Sequence, residues 1–236
     1  MLQESDGGKA VLASALGDLG LPIEAVSGIQ VEYTPDNSIF ADQQGQSGVD
    51  CDVLVRFDGL KGRGVLVSET KSVEEEFSTC GFRKKAASDE RRCPEGTIAG
   101  ADGVGCAYQE QKGFLYWQRT RENATLHDGV AESFCPFGGF LWQLWVNHTL
   151  AHALREEADS TAIFAVCAPK ANTRVLDLES RALGKIDAFR ELAREPDSVV
   201  FLAVEDVVAA LESVTPADFR ERSHWLEGLR ARYLVA

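Results

Sequence analysis

Residues 49–71, VDCDVLVRFDGLKGRGVLVSETK, hold the reading on which the fold turns. Val53, Leu54, Val55 and Phe57, then Val65, Leu66 and Val67, make two β-branched and aromatic runs, with Asp58, Gly59, Gly62 and Gly64 supplying the turn between them. Such a pair folds back as a hairpin. Side chains on a strand alternate faces, so Asp50 and Asp52 share one face of the first strand, and Glu69 and Lys71 share one face of the second. Carboxylates and an ammonium can thus gather at one place. Charges on strands this apolar are costly to bury, so they are expected to be paired, solvated or bound to a metal. The plainer alternative is a salt-bridge ladder on a wet sheet face.

Upstream, residues 9–20 read as a short helix ended by Gly17 or Gly20, and residues 28–34 as an alternating strand with Glu32 on the face opposite Ile29, Val31 and Tyr33. The first 71 residues therefore suggest a helix followed by a three-strand meander. Residues 72–138 have no clean periodicity beyond a patch at 113–121, which is unusual unless such a segment is functional or tied down. Cys80, Cys93, Cys106 and Cys135 fall inside it. They could be that tie, holding zinc or an iron–sulfur cluster. With no CxxC pair among them, plain reduced cysteines are the competing reading. Cys51 and Cys167 sit in apolar strands and read as core residues.

Residues 139–157, GFLWQLWVNHTLAHALREE, form the strongest helix signal, apolar around most of its circumference and so expected to be buried. Gln143 and Asn147 lie one turn apart on one stripe. Buried amides need partners, which an active centre or a loop backbone would provide. His148 and His152 share that spacing but lack an HExxH motif, so they read as packing or surface residues rather than metal ligands. Beyond the helix, apolar strands at 161–168 and 198–204 alternate with helices at 176–194, 205–213 and 216–233. That pattern predicts an α/β domain with three layers around a mixed sheet, partly parallel and covered on both faces.

The chain has 236 residues and a net charge of −13, with a pI near 4.8, which argues against non-specific coating of nucleic acid. The charge is uneven. Residues 1–60 hold ten acidic and two basic residues, whereas residues 61–92 hold eight basic and six acidic ones. A phosphate-bearing partner would have to land on Lys61 and Arg63, or on Arg83, Lys84, Lys85, Arg91 and Arg92; the bland reading is a solvated loop. Apolar runs fall short of the roughly 18 residues of a membrane span. The polar N-terminus resembles no signal peptide, so a cytoplasmic setting is expected, with no membrane partner.

An Asp on one strand followed seventeen residues later by Glu-x-Lys on the next, here Asp52, Glu69 and Lys71, resembles the PD-(D/E)xK superfamily of restriction-endonuclease-like nucleases. QVEY at 30–33 lies where related nucleases carry another acidic residue. The QLWVNHTLAHAL helix looks like the QLxRNxxLA helix of an uncharacterised bacterial branch, and HWLEGLRARYL is similar to that branch's ending. The chain departs from the pattern in having Cys51 in place of the Pro before the Asp, and Val146 where the branch often has Arg. Asp50 competes with Asp52, which is preferred because DVLVRF keeps the branch's spacing.

The resemblance implies a single restriction-endonuclease-like α/β domain over residues 1–236, a mixed central sheet flanked by helices, with a Cys-containing irregular insertion at about 72–138. It implies a Mg²⁺-dependent or Mn²⁺-dependent phosphodiester hydrolase acting on nucleic acid, with DNA the expected substrate. Asp52 and Glu69 would ligate the metal, Glu32 would ligate directly or through water, Lys71 would orient or deprotonate the attacking water, and Gln143 would position it or a phosphate oxygen. Nucleases of this type often work as homodimers. The alternative is a catalytically inactive nuclease-like scaffold that binds a protein or nucleic-acid partner.

Overall fold

The structure, a computed structural model, describes residues 5–42, 48–71, 77–83, 93, 105–132, 135–138, 141–157, 160–172, 184–215, 227–228 and 230–231. Its elements in chain order are α1 (Asp6–Asp18), β1 (Ala25–Tyr33), α2 (Asn37–Phe40), β2 (Cys51–Gly59), β3 (Gly62–Thr70), α3 (Ala107–Lys112), α4 (Tyr116–Glu122), α5 (Leu141–Ala153), β4 (Ala162–Ala168), α6 (Lys185–Arg190), β5 (Val199–Ala203) and α7 (Val204–Val214). The strands form one sheet in the order β1-β2-β3-β4-β5. Its β1–β2 and β2–β3 pairs are antiparallel, and β3–β4 and β4–β5 are parallel. The fold class is therefore α/β with a mixed five-stranded sheet. Of the helix expected at 176–194, the first part lies outside the described residues and α6 falls in the second; the helix expected at 216–233 lies largely outside them.

The apolar strands are apolar throughout because both faces are covered. Val65 and Val67 of β3, with Phe164 and Val166 of β4, join a core cluster containing Leu144, Trp145 and Leu150 of α5. The alternate residues Leu66, Ile163 and Ala165 join a second cluster with Ala13 and Leu16 of α1. Each fully buried Leu, Val or Phe contributes about 1.5–3 kcal/mol, so this two-sided burial is what holds the parallel strands together. Among the described residues no helix is long and apolar enough to cross a membrane.

The hairpin turn differs from the expected one. Gly59 pairs with Gly62, so the loop is Leu60 and Lys61, and Gly64 is a strand residue opposite Phe57. A Cβ on Gly64 would stand 2.3 Å from the Phe57 ring, which is buried and cannot move aside. Gly64→Ala is accordingly expected to destabilise the protein by about 1–3 kcal/mol, measured as a lowered urea midpoint with an unchanged slope.

Two further differences are local. Helix α1 begins earlier than expected because Ser5 caps it, its hydroxyl accepting from Gly8 N at 3.0 Å. The second half of the stretch expected to be irregular is helical, with α3 and α4 packed onto α5 through Tyr108, Tyr116 and Trp117. Helices of six and seven residues show too few turns for a 3.6-residue period to emerge. The turn-rich residues 35–48 also conceal a buried carboxylate. Asp42 Oδ2 accepts from Val49 N and from Tyr116 Oη, both at 2.8 Å, which ties the approach to β2 onto α4.

Candidate active site

In open α/β sheets, ligands bind beyond the carboxyl ends of the strands. Here that end of β3 carries Glu69 and Thr70, with Lys71 following. The β2–β3 register pairs Val53 with Ser68, and one step further places Asp52 across from Glu69. Asp52 Oδ2 accepts a hydrogen bond from Thr70 N at 2.6 Å. Glu69 lies on the face shared by Val65 and Val67, towards α5, and is 7% exposed; Lys71 is 6% exposed.

Among the described residues the buried charge has several named partners. Lys71 Nζ donates to Glu69 Oε1 at 2.9 Å, Gln143 Nε2 donates to the same oxygen at 2.6 Å, and Asn147 Nδ2 donates to Oε2 at 3.1 Å. Gln143 Oε1 in turn accepts from Ser78 N at 2.8 Å. Lys71 Nζ also stands 5.8 Å from the centroid of the Phe77 ring, a cation–π distance. Its backbone is pinned from both sides, Lys71 N donating to Cys167 O at 2.8 Å and Asn172 Nδ2 donating to Lys71 O at 3.1 Å.

Burial pushes the Glu69 carboxyl above the usual carboxylate range; Lys71 opposes that shift, and Asp52 and Asp50 add to it. Burial and the same three carboxylates push the neighbouring Cys51 thiol to about 12, so it stays neutral at the foot of the site. Two centres of negative charge thus press on one another where little water reaches. Such a place favours either a proton or a cation.

The structure brings Asp52, Glu69, Lys71 and Gln143 together. Glu32 is in line with them on the neighbouring strand, since Val31 pairs with Val53 and Tyr33 with Cys51. It is exposed, has a left-handed φ of 51°, and makes no hydrogen bond to the group among the described residues. Asp50 is exposed. The charges form a buried pair, not a ladder on a wet face. Gln143 and Asn147 of α5 both reach Glu69, and Gln143 also takes loop backbone. Sequence reasoning missed Ser78 and Asn172, whose contacts involve main-chain atoms and leave no residue-type signal. Val146 is buried in the core.

Of the basic residues expected to meet phosphate, Arg63 is engaged by Glu156 at 2.8 Å and Arg83 donates to Cys93 O at 3.2 Å. Lys84, Lys85, Arg91 and Arg92 lie outside the described residues. Cys80, Cys93, Cys106 and Cys135 line one aromatic-walled cavity. Cys51 is buried and Cys167 half-buried, and burial holds the Cys167 thiol at about 11.

His148 and His152 are packing residues. His148 Nε2 meets Ser198 Oγ at 2.8 Å and His152 Nε2 at 3.2 Å, and both rings are buried. Burial lowers both, His148 well below its usual value and His152 to about 3. Below the unfolded value of about 6.5 the unfolded chain takes up protons that the folded one refuses. Stability is then expected to fall by about 1.4 kcal/mol per pH unit for each histidine as pH drops towards 3. Urea midpoints between pH 7 and 4.5 check this, with a shallower slope expected for His152→Leu.

The chain matches no curated protein and no solved structure. A model of the family described as "Restriction Endonuclease associating with ARP" matches residues 3–234, nearly the whole chain. With that match added to the mixed α/β sheet and the carboxylates at its strand ends, the chain belongs to the REase-ARP family of restriction-endonuclease-like proteins.

Proposed function

We propose that this protein is a metal-dependent nuclease that hydrolyses phosphodiester bonds in DNA through a PD-(D/E)xK site. The observation that carries the reading is Asp52 and Glu69 facing each other on adjacent strands with the Lys71 ammonium 2.9 Å from Glu69. The donor set fits a hard dication: carboxylate oxygens, one of them made hard to ionise by burial and by its acidic neighbours. Mg²⁺ or Mn²⁺ held by Asp52 and Glu69, with Glu32 reaching through water, would supply a bound water of lowered pKa and would offset charge on the reacting phosphate. Lys71 holds a proton beside the reacting centre and offers a donor to phosphate. Gln143 fixes the Glu69 carboxylate against the loop at Ser78. A three-layer restriction-endonuclease-like core belongs to the same proposal, supported by the two apolar clusters that Val65 and Leu66 feed.

The family's description names an association with ARP, and we extend that association to this chain.

The test is cleavage by the purified protein of single-stranded and double-stranded DNA and of RNA, with Mg²⁺, Mn²⁺ or a chelator. Cutting of DNA only when a dication is supplied is expected. One observation favours a second reading, an inactive scaffold: both Glu69 oxygens are already taken by Lys71, Gln143 and Asn147. Calorimetric titration separates the two. Dication binding that disappears in Glu69→Gln supports the hydrolase, and the absence of any binding supports the scaffold.

A further inference from the structure

Cys80, Cys93, Cys106 and Cys135 are separated by 13, 13 and 29 residues in the chain, yet all four line one cavity walled by Phe82, Tyr108, Phe137, Trp142 and Trp145. None is in a disulfide. Four thiols gathered in an apolar hollow are not explained by packing alone, because any four small apolar residues would fill it as well.

Burial holds the thiols of Cys80, Cys106 and Cys135 above their usual pKa, the last at about 12. Backbone N–H groups lie beside these sulfurs, those of Phe82 and Arg83 at Cys80, those of Tyr108 and Gln109 at Cys106, and that of Phe137 at Cys135. Donors two and three residues beyond a cysteine suit a metal-bound sulfur. The indole of Trp117, buried at 1% exposure, stands beside Cys106 as a further donor.

We propose that Cys80, Cys93, Cys106 and Cys135 are the ligands of one iron–sulfur cluster, distinct from the carboxylate site. A cluster fits better than a lone zinc ion. Tetrahedral zinc with bonds of about 2.3 Å draws its sulfurs to within roughly 3.8 Å of one another, and among the described residues no three His, Cys, Asp or Glu side chains are gathered to hold a single ion. A polynuclear cluster holds its cysteines further apart and sits well in an aromatic hollow. Binding releases the thiol protons to solvent as the sulfurs become thiolate ligands. The centre would fasten the segment bearing Cys80 to Trp142 and Trp145 of α5, two residues from Ser78, which holds Gln143. It is thus a structural tie for the helix that presents Gln143 and Asn147 to Glu69.

The full-length protein, purified without oxygen, tests this by iron, zinc and acid-labile sulfide analysis together with its visible spectrum. Iron and sulfide in comparable amounts are expected, with a broad visible absorption that dithionite bleaches. Cys106→Ser and Cys135→Ser are expected to lose the absorption and to melt at lower temperature, and Cys167→Ser, outside the cavity, to keep it. Should the cavity variants fail to fold, metal and sulfide in the wild-type protein still decide the matter. One zinc per chain without sulfide would overturn the cluster, and six free thiols with no bound metal would overturn the site.

Discussion

Lys71→Met is expected to leave the protein folded while lowering phosphodiester cleavage by about 10²–10⁴-fold, the usual contribution of a positioned proton-transfer group. Methionine keeps the unbranched stem and its approach to the Phe77 ring, so what disappears is the charge and its donor. Removing one partner of a buried pair commonly costs about 3–5 kcal/mol because the other is stranded. Glu69 has an escape, since burial already raises its pKa and it can take up a proton once Lys71 no longer opposes that shift. The variant should therefore melt below the wild type and still give the native far-ultraviolet dichroism spectrum. Initial rates on DNA with saturating Mg²⁺, compared at a temperature where both proteins are folded, make the measurement. Rates within a few-fold of the wild type would remove Lys71 from the chemistry and with it the assignment of the site.

Trp145→Ala should cost about 3–5 kcal/mol, among the largest losses open to a single substitution in this chain. Trp145 is fully buried, stacks on Phe137 with centroids 4.3 Å apart and planes within 9°, and lies 4.8 Å from the Trp117 ring centroid. Its Nε1 donates to Thr120 Oγ1 at 2.9 Å, which joins α5 to α4. Alanine would leave a hole bounded by rigid rings that cannot collapse into it. Trp145→Phe separates the terms: it fills most of the volume and loses the indole donor, so roughly 1–2 kcal/mol is expected. Urea unfolding of the three proteins at one pH tests both values, and a cost for alanine below about 1 kcal/mol would mean that the aromatic cluster is not packed as described.

What could be read directly from the amino-acid order was whatever depends on near neighbours. The hairpin, the alternation that sets Glu69 and Lys71 on one face, and the doubly covered strands β4 and β5 all follow from patterns within ten residues. Gly64 misled because glycine serves turns and close approaches equally well, and only the Phe57 ring opposite shows which use applies. Asp42 was hidden in a polar stretch because its partner Tyr116 is 74 residues away. The partners of Gln143 and Asn147 were equally out of reach, Glu69 lying 74 and 78 residues back in the chain. A helix stripe says that two amides share a direction, and tertiary docking alone decides what they meet.

The order of the strands carries a consequence for how the molecule assembles itself. β2 and β3 meet through a two-residue loop, whereas β3 and β4 lie side by side only after about ninety intervening residues have been gathered in, α5 among them. Closing a small hairpin takes microseconds, and contacts so distant along the chain form late. During refolding Glu69 should therefore wait on a nascent ribbon, wet and without its two amides, until the long excursion closes over it. Slow kinetic phases should then report the docking of α5, and any enzymatic competence should return with the last of them.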